Sequence, residues 1–414
     1  MADYEDFEQE EISREEQRRR LVLRTMESGV LRQDPAFLER EKLRRRDRLR
    51  DFLIGLSLTA VFLLFMLFYY RNYSYTTYSL NSETTLGALS EAKIRKLDSG
   101  NVIIGGDTIT YMEKGAAVWS TAVDLKKPVV AVNGDFFSVY DTGGYQVYVC
   151  DKTGILCTLK VSRMIHGMDI SSDGVVAVFT ESDDAEYISY FDRYGSRIPV
   201  DIKSVLSGTG QPMRIAISPD SQKLAVLYYT TANGIGESRM VLYDFEKGRE
   251  EDSYIVHSDS SFYGSGTLLV DGRFLDNGHF AAVGTNLAKF YSYDQKKGET
   301  TEKTLEYDYP VRSVWFAGNT FLLIDEREEG NLCTVYDMTG EYSTSFEVPK
   351  EYGSFAVNDE QIAFMNGSDL TVYNLSGRKR YEGTLIDTPL SFAYSGKRSL
   401  LLNTGSLIEE ITLK

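Results

Sequence analysis

Three acidic stretches carry the densest potential ligand chemistry in this chain: ESDDAE (181–186), DEREE (325–329) and VDGRFLDNGH (270–279), the last offering Asp271, Asp276 and Asn277. Grouped carboxylates attract hard cations, but a calcium loop of the EF-hand type needs spaced oxygen ligands around a central Gly, and none of the three keeps that spacing. Solvated hairpin tips and side-chain-capped turns account for them better. The three histidines, His166, His257 and His279, sit in different stretches, without zinc-ligand spacing. Cys150, Cys157 and Cys333 are an odd number, so they do not form a complete intrachain disulfide framework. Cys150 and Cys157 flank a Gly turn. A local bridge between them is one reading, but their expected pairing is diagonal rather than direct, which favours free thiols.

Nucleophile and phosphate motifs are equally sparse. GSGT (264–267) lacks the spacing of a serine nucleophile elbow. GGDTI (105–109) and NGDFFS (133–138) are Gly turns without the Lys-Ser/Thr and following helix of a phosphate loop. Trp119 and Trp315, the two tryptophans, fall in expected strands and are read as core residues, with contact to a ligand in a central channel as the other reading. No catalytic, cofactor-binding or metal-binding residue is assigned.

The elements that would position any site are more legible. Apolar and charged fractions are those of globular protein, while 28 Tyr, 21 Phe and 34 Gly against 8 Pro favour β-structure. The net charge of −16 lies wholly beyond residue 50, because residues 1–50 carry 13 acidic and 13 basic side chains. So acidic a domain is a poor nucleic-acid binder, since phosphate neutralisation needs clustered Lys and Arg.

Residues 52–70, FLIGLSLTAVFLLFMLFYY, contain no charge and reach the length of a membrane-crossing helix. Arg44, Arg45, Arg46, Arg48 and Arg50 precede them, whereas only Arg71 is basic between the span and Lys93. That asymmetry places residues 1–50 in the cytoplasm and the C-terminal part outside, in a single-pass cell-membrane protein. Tyr69 and Tyr70, with Tyr73, suit the outer interface. The same arginines suit anionic headgroups of the lipid bilayer. A cleaved signal peptide fits poorly, since 50 residues precede the span and no small-residue cleavage site follows. Residues 10–28 have helical composition, and Asp34-Pro35 reads as an N-cap with Pro at the first position of a second helix running into the membrane. The expected division is therefore a cytoplasmic charged helical tail (1–50), a transmembrane helix (51–71) and an extracytoplasmic domain (73–414).

That last part repeats. An apolar strand ending in an aromatic and Asp or Asn, then a turn closed by Gly, recurs as YFDRYG (190–195), LYDFEKG (242–248), SYDQKKG (292–298), VYDMTG (335–340) and VYNLSG (372–377), with looser copies at 147–154 and 111–115. Asp or Asn caps the turn and Gly supplies its positive φ. The markers at 113, 151, 192, 244, 294, 337 and 374 are spaced by 37 to 52 residues. A period near 40–45 with four short strands is the signature of a β-propeller. Blades are expected to start near 92, 129, 166, 212, 267, 310, 352 and 389. Eight blades result, with seven as the alternative. The last unit holds three strands, so YSYTTYSL (73–80) is expected to supply its fourth and close the ring.

MRIAISPDSQKLAVLYY (213–229) resembles a WD40-like repeat unit, MDISSDGVVAVFT (168–180) is a weaker version, and the VYDMTG turns are similar to those of quinoprotein-like propellers. Over residues 73–414 the chain resembles an uncharacterised bacterial family of single-pass, membrane-anchored β-propellers. That resemblance implies a binding scaffold or sensor at the cell envelope, with a protein or glycan partner and no cofactor. The alternative is an envelope enzyme of hydrolase or quinoprotein type with its site in the propeller channel. The propeller is expected to run to the last residue, leaving no room for an added hydrolase domain.

Overall fold

A computed structural model describes residues 15–24, 26, 35–87, 92–105, 107–182, 185–205, 210–232, 234–247, 254–259 and 267–414. Asp34, Asp183, Asp184 and the Ser and Gly residues at 264–266 lie outside them. The chain divides into two compact units, Met1–Tyr73 and Ser74–Lys414.

The first unit is helical. A short helix covers residues 15–24, and a second runs without a break from Pro35 to Asn72. Within it Lys42–Tyr69 is long and apolar enough to cross a membrane. Thr59, which with Ser57 interrupts the apolar run after Asp51, donates its hydroxyl to the Gly55 carbonyl at 2.9 Å, satisfying its polar atom within the helix itself.

The second unit is an eight-bladed β-propeller. Among the described residues, 32 strands form eight antiparallel sheets of four. The first strands of blades 1 to 8 are Lys93–Lys96, Pro128–Asn133, Ile165–Ile170, Gln211–Ile217, Leu269–Phe274, Val311–Ala317, Ser354–Val357 and Ser391–Tyr394. Each begins within two residues of its expected start. The first strands of blades 2 to 5 touch in succession, as do those of blades 7, 8 and 1, which makes the first strands the inner ring around a central channel.

The repeated turn does what its chemistry predicts. Asp192 Oδ1 accepts from the backbone N–H of Tyr194 and Ser196 at 2.9 and 2.8 Å, and Asp337 Oδ1 from Thr339 and Glu341 at 2.8 and 2.9 Å. Asp151, Asp244, Asp294 and Asn374 cap the equivalent turns of their blades. At Gly377 the φ is +88°, and a Cβ there would lie 2.5 Å from Cβ of Phe346 in the preceding blade. The turn therefore needs Gly twice over, for conformation and for space. The core lies between blades: Tyr190, Val226, Tyr228 and Tyr243 pack blade 3 on blade 4, and Phe346 and Phe364 pack blade 6 on blade 7.

Ring closure joins the two ends of the domain, five residues later than expected. The closing strand is Tyr78–Thr85, not 73–80, and it pairs antiparallel with Leu407–Leu413. Residues 75–77 still hold the ring, by other means. Tyr75 donates its N–H to Arg380 O at 2.6 Å, Thr76 donates to Lys414 O at 2.7 Å, and the Lys414 N–H donates to Thr77 O at 2.8 Å. The Tyr75 ring is buried, and its phenol oxygen accepts from Gln361 Nε2 at 2.8 Å.

Candidate functional site

The inner strands of blades 3 to 6 share one irregularity. Each carries a β-bulge after its first or second residue, so His166, Met213, Val270 and Arg312 are skipped in the pairing with the second strand. A bulge twists its strand and re-aims the side chains around it. At two skipped positions a polar side chain finds a partner: His166 Nε2 lies 2.7 Å from Glu181, and the Arg312 guanidinium sits 4.3 Å over the Tyr352 ring. At the other two the side chain is apolar and open, with Met213 and Val270 both 58% exposed. Met164, Leu268 and Tyr309, just before the inner strands of blades 3, 5 and 6, are exposed as well. All lie where the chain enters an inner strand, which is one face of the disc around one mouth of the channel.

Beyond the bulges the strands line the channel. A cavity of 540 Å³ there is bounded by residues from seven blades, among them Arg95, Asp169, Arg214, Arg273, Trp315 and Asp359. Gly134, Gly318 and Asn358, from turns between first and second strands, also bound it, so the cavity reaches the opposite face. Asp169 Oδ2 accepts the Ile217 N–H of the next blade at 2.8 Å. Burial holds the Asp169 carboxyl above the usual range, despite that bond and the charges of Arg214 and Arg273. Arg214 Nε lies 2.9 Å from Asp271 Oδ1. Partial desolvation by the channel walls pulls the Arg95 guanidinium down, and its Nη1 donates to the Ile94 carbonyl at 3.1 Å. Trp315 is 39% exposed in this channel, its edge against Phe355 at 5.6 Å.

This placement corrects the reading of Trp315 as a core residue: its inner strand faces the channel. Trp119 does pack inside, stacked between Tyr111 and Phe137. Of the acidic stretches, 181–186 lies partly outside the described residues, Asp271 and Asp325 stand within strands, and Asp276 is a turn cap. Asp276 caps the N–H groups of Gly278 and His279, and Asp325 pairs with Arg327 at 3.0 Å. Cys150, Cys157 and Cys333 are free. Cys150 faces Ile155 while Cys157 faces Val149, the diagonal arrangement in which a bridge does not form. In the N-terminal unit Arg44, Arg45, Arg46, Arg48, Arg50 and Tyr69 lie exposed on the long helix; the Tyr70 side chain is outside the described residues.

One group escaped sequence reasoning. His257, Asp259 and Glu302 bring three ligand-type atoms within 4.8 Å of one another. Lys289 Nζ already lies 3.0 Å from Glu302 and 3.7 Å from Asp259, and Tyr291 donates to Asp259 at 2.8 Å. With an ammonium in place the group reads as an ion-pair network tying blade 4 to blade 5. Bonds from His257, Lys289 and Tyr291 outweigh burial and hold the Asp259 carboxyl below the usual range.

The chain belongs to a family of unknown function, DUF5711, which matches residues 71–413. No curated protein matches the sequence. Among solved structures the chain is similar to the Dos1 propeller (11% identity, covering 81% of this chain and 95% of that one, TM-score 0.51). It is also similar to apo AztD from Citrobacter koseri (12% identity, 78% and 90%, TM-score 0.50) and to BamB from Moraxella catarrhalis (12% identity, 81% and 100%, TM-score 0.48). At such identities the likeness establishes the propeller fold alone.

Proposed function

We propose that this chain is a single-pass membrane protein whose propeller binds a protein partner at the cell envelope, with residues 1–50 in the cytoplasm and the propeller outside it. The helix Lys42–Tyr69 and its basic flank from Arg44 to Arg50 support the anchor and its orientation. The helix ends at Asn72, and Tyr75 is already held by the propeller, so two residues link anchor to disc.

The observation that carries the binding reading is the arc of exposed apolar side chains at the starts of the inner strands of blades 3 to 6, Met164, Met213, Leu268, Val270 and Tyr309. Scattered exposed apolar residues are ordinary, but an arc repeated on four adjacent blades around one channel mouth is a contact surface. Met and Tyr there supply adaptable and amphipathic contact to a protein.

The test is photo-crosslinking in cells from a probe amino acid at position 213, with Val270→Glu as the control variant. A protein adduct that recurs at 213 and disappears with Val270→Glu is expected. Glycan adducts alone, or a protein adduct indifferent to Val270→Glu, would refute the reading.

A further inference from the structure

We propose that the central channel is a binding site for a small soluble oxyanion, a carboxylate or phosphate, held between Arg95 on blade 1 and Arg214 and Arg273 on blades 4 and 5. The site is independent of the apolar arc, from which none of its residues is drawn.

Charge is the first argument. The propeller is strongly acidic: the whole chain sums to −16, residues 1–50 sum to zero, and residues 51–73 contribute only Asp51 and Arg71, which cancel. Yet three arginines, from three inner strands, and Lys96 line one cavity of 540 Å³ against three carboxylates, those of Asp98, Asp169 and Asp359, a local excess of basic groups in an acidic domain. In an eight-membered ring blade 5 lies opposite blade 1 and blade 4 is its neighbour, so the guanidinium groups come from opposing walls. A planar guanidinium matches carboxylate and phosphate oxygens with paired donors, which makes Arg the residue for such ligands.

Partner bookkeeping is the second. Lys96 in the same cavity faces Asp98 and Asp359 and donates to the carbonyls of Gly100 and Ser395, so its charge is answered. Arg214 has Asp271. Arg273 feels Asp169 only at longer range, and Asp169 spends an oxygen on the Ile217 N–H. Among the described residues neither Arg95 nor Arg273 makes an ion pair with a carboxylate. Arg95 keeps access to the solvent of the channel, but the surrounding walls partly desolvate it and shift its guanidinium below the usual range, with no carboxylate beside it to offset that cost. A structural role would have supplied that counter-charge; a bound oxyanion would complete the set.

The neighbouring cavity of 520 Å³ between blades 7, 8 and 1 shows the contrast: there Lys397 pairs with Glu360, and Lys96 is the residue already answered. Trp315 lines the arginine cavity and gives the carbon part of a ligand a flat apolar wall. It is also a reporter.

The experiment uses the full chain in phosphatidylcholine nanodiscs, titrated with inorganic phosphate, succinate and citrate and followed by calorimetry and tryptophan fluorescence. Arg95→Gln, Arg273→Gln and their double variant are compared, each checked for its thermal midpoint. Saturable binding of at least one probe is expected, weakened about tenfold or more by each single change and abolished by the double, with midpoints equal to or above that of the parent. The midpoint readout matters because removing an arginine that has no ion-pair partner does not destabilise, whereas removing one member of a structural ion pair does. No saturable binding of any of the three probes would overturn the proposal, and so would binding that the double variant leaves intact.

Discussion

Tyr75 is the residue on which ring closure can be tested most sharply. Its ring is 5% exposed, lies within 5.8 Å of the Arg380 guanidinium and 5.5 Å of Arg398, and its hydroxyl accepts from Gln361 Nε2 at 2.8 Å. Tyr75→Ala deletes a buried aromatic, a loss of about 3–5 kcal/mol where the site cannot collapse. It also orphans the Gln361 amide, for about a further 1–3 kcal/mol. Residue 75 sits at the chain's point of entry, so water can reach the vacated space and the two terms do not add fully; about 4 kcal/mol is the expected sum. That energy acts on the opening of Tyr78–Thr85 from Leu407–Leu413, because the strand loses its clamp while keeping its ladder. Amide exchange in the 407–413 segment should then speed by about a thousandfold. Tyr75→Phe removes only the hydroxyl and should cost about 1–2 kcal/mol, close to tenfold. Exchange in 407–413 that changes less than tenfold in Tyr75→Ala would refute the clamp and leave the ladder alone as the closure.

Gly377→Ala should destabilise the domain by more than about 2 kcal/mol, since it combines a positive φ with collision against Phe346, whereas Gly143→Ala, at φ +75° with open space, should cost about 1 kcal/mol; urea midpoints compare them. Burial pushes the Cys333 thiol up to about 12 and raises Cys150 as well, while Cys157 is only half-buried, so iodoacetamide at pH 8 should label Cys157 first and the other two only after denaturation. Asp259 and Asp169 should respond to pH with opposite signs. The depressed carboxyl of Asp259 contributes stability above its unfolded value near pH 3.9, lost as pH falls through the folded value, so Asp259→Asn should lower the thermal midpoint at pH 7 and converge with the parent in acid. The raised carboxyl of Asp169, facing Arg214, Arg273 and the Tyr190 phenol, contributes stability only below the unfolded value and loses it as pH rises through the folded one; Asp169→Asn should therefore raise the midpoint at pH 7 and not at pH 3. Protease added to intact cells should remove the propeller and spare an epitope at the N-terminus; the reverse would overturn the proposed orientation.

Blade number and phase are legible because their signal is local. In blades 2 to 7 an Asp or Asn at the end of the third strand bonds to N–H groups two to four residues on, and Gly at the turn's close follows within a few residues, so a short window contains the whole cause. The closing strand is less legible because its partner lies at the other end of the domain. Residues 73–80 and 78–85 read alike by composition, and only the register Tyr78↔Leu413 distinguishes them. The channel is hardest of all. Arg95, Arg214 and Arg273 each look like an ordinary strand arginine in KIRK, PMRI and DGRF. Their relation appears only when the ring brings blade 1 opposite blades 4 and 5. The available signal is an arginine recurring at the inner strand of four units, three of them lining the channel and Arg312 turned to Tyr352, in a domain otherwise acidic. Trp315 was misread for the same reason, since alternation in a strand separates two faces but does not say which one meets a channel.

The acid exterior and the arginines of the channel set a further condition on binding. At physiological salt the Debye length is about 8 Å, so the exterior charge is screened over the approach to the disc, while arginines set within the walls of a cavity are screened less. At low salt the domain's excess of 16 negative charges reaches further and opposes the entry of an anion. Salt should therefore act in two directions on the same ligand. It should speed association, by weakening the outer repulsion, and shorten residence, by competing for Arg95 and Arg273. A surface cluster of lysines would show only the second effect. The sign of the association rate's salt dependence thus separates an anion held inside the channel from one merely attracted to its rim.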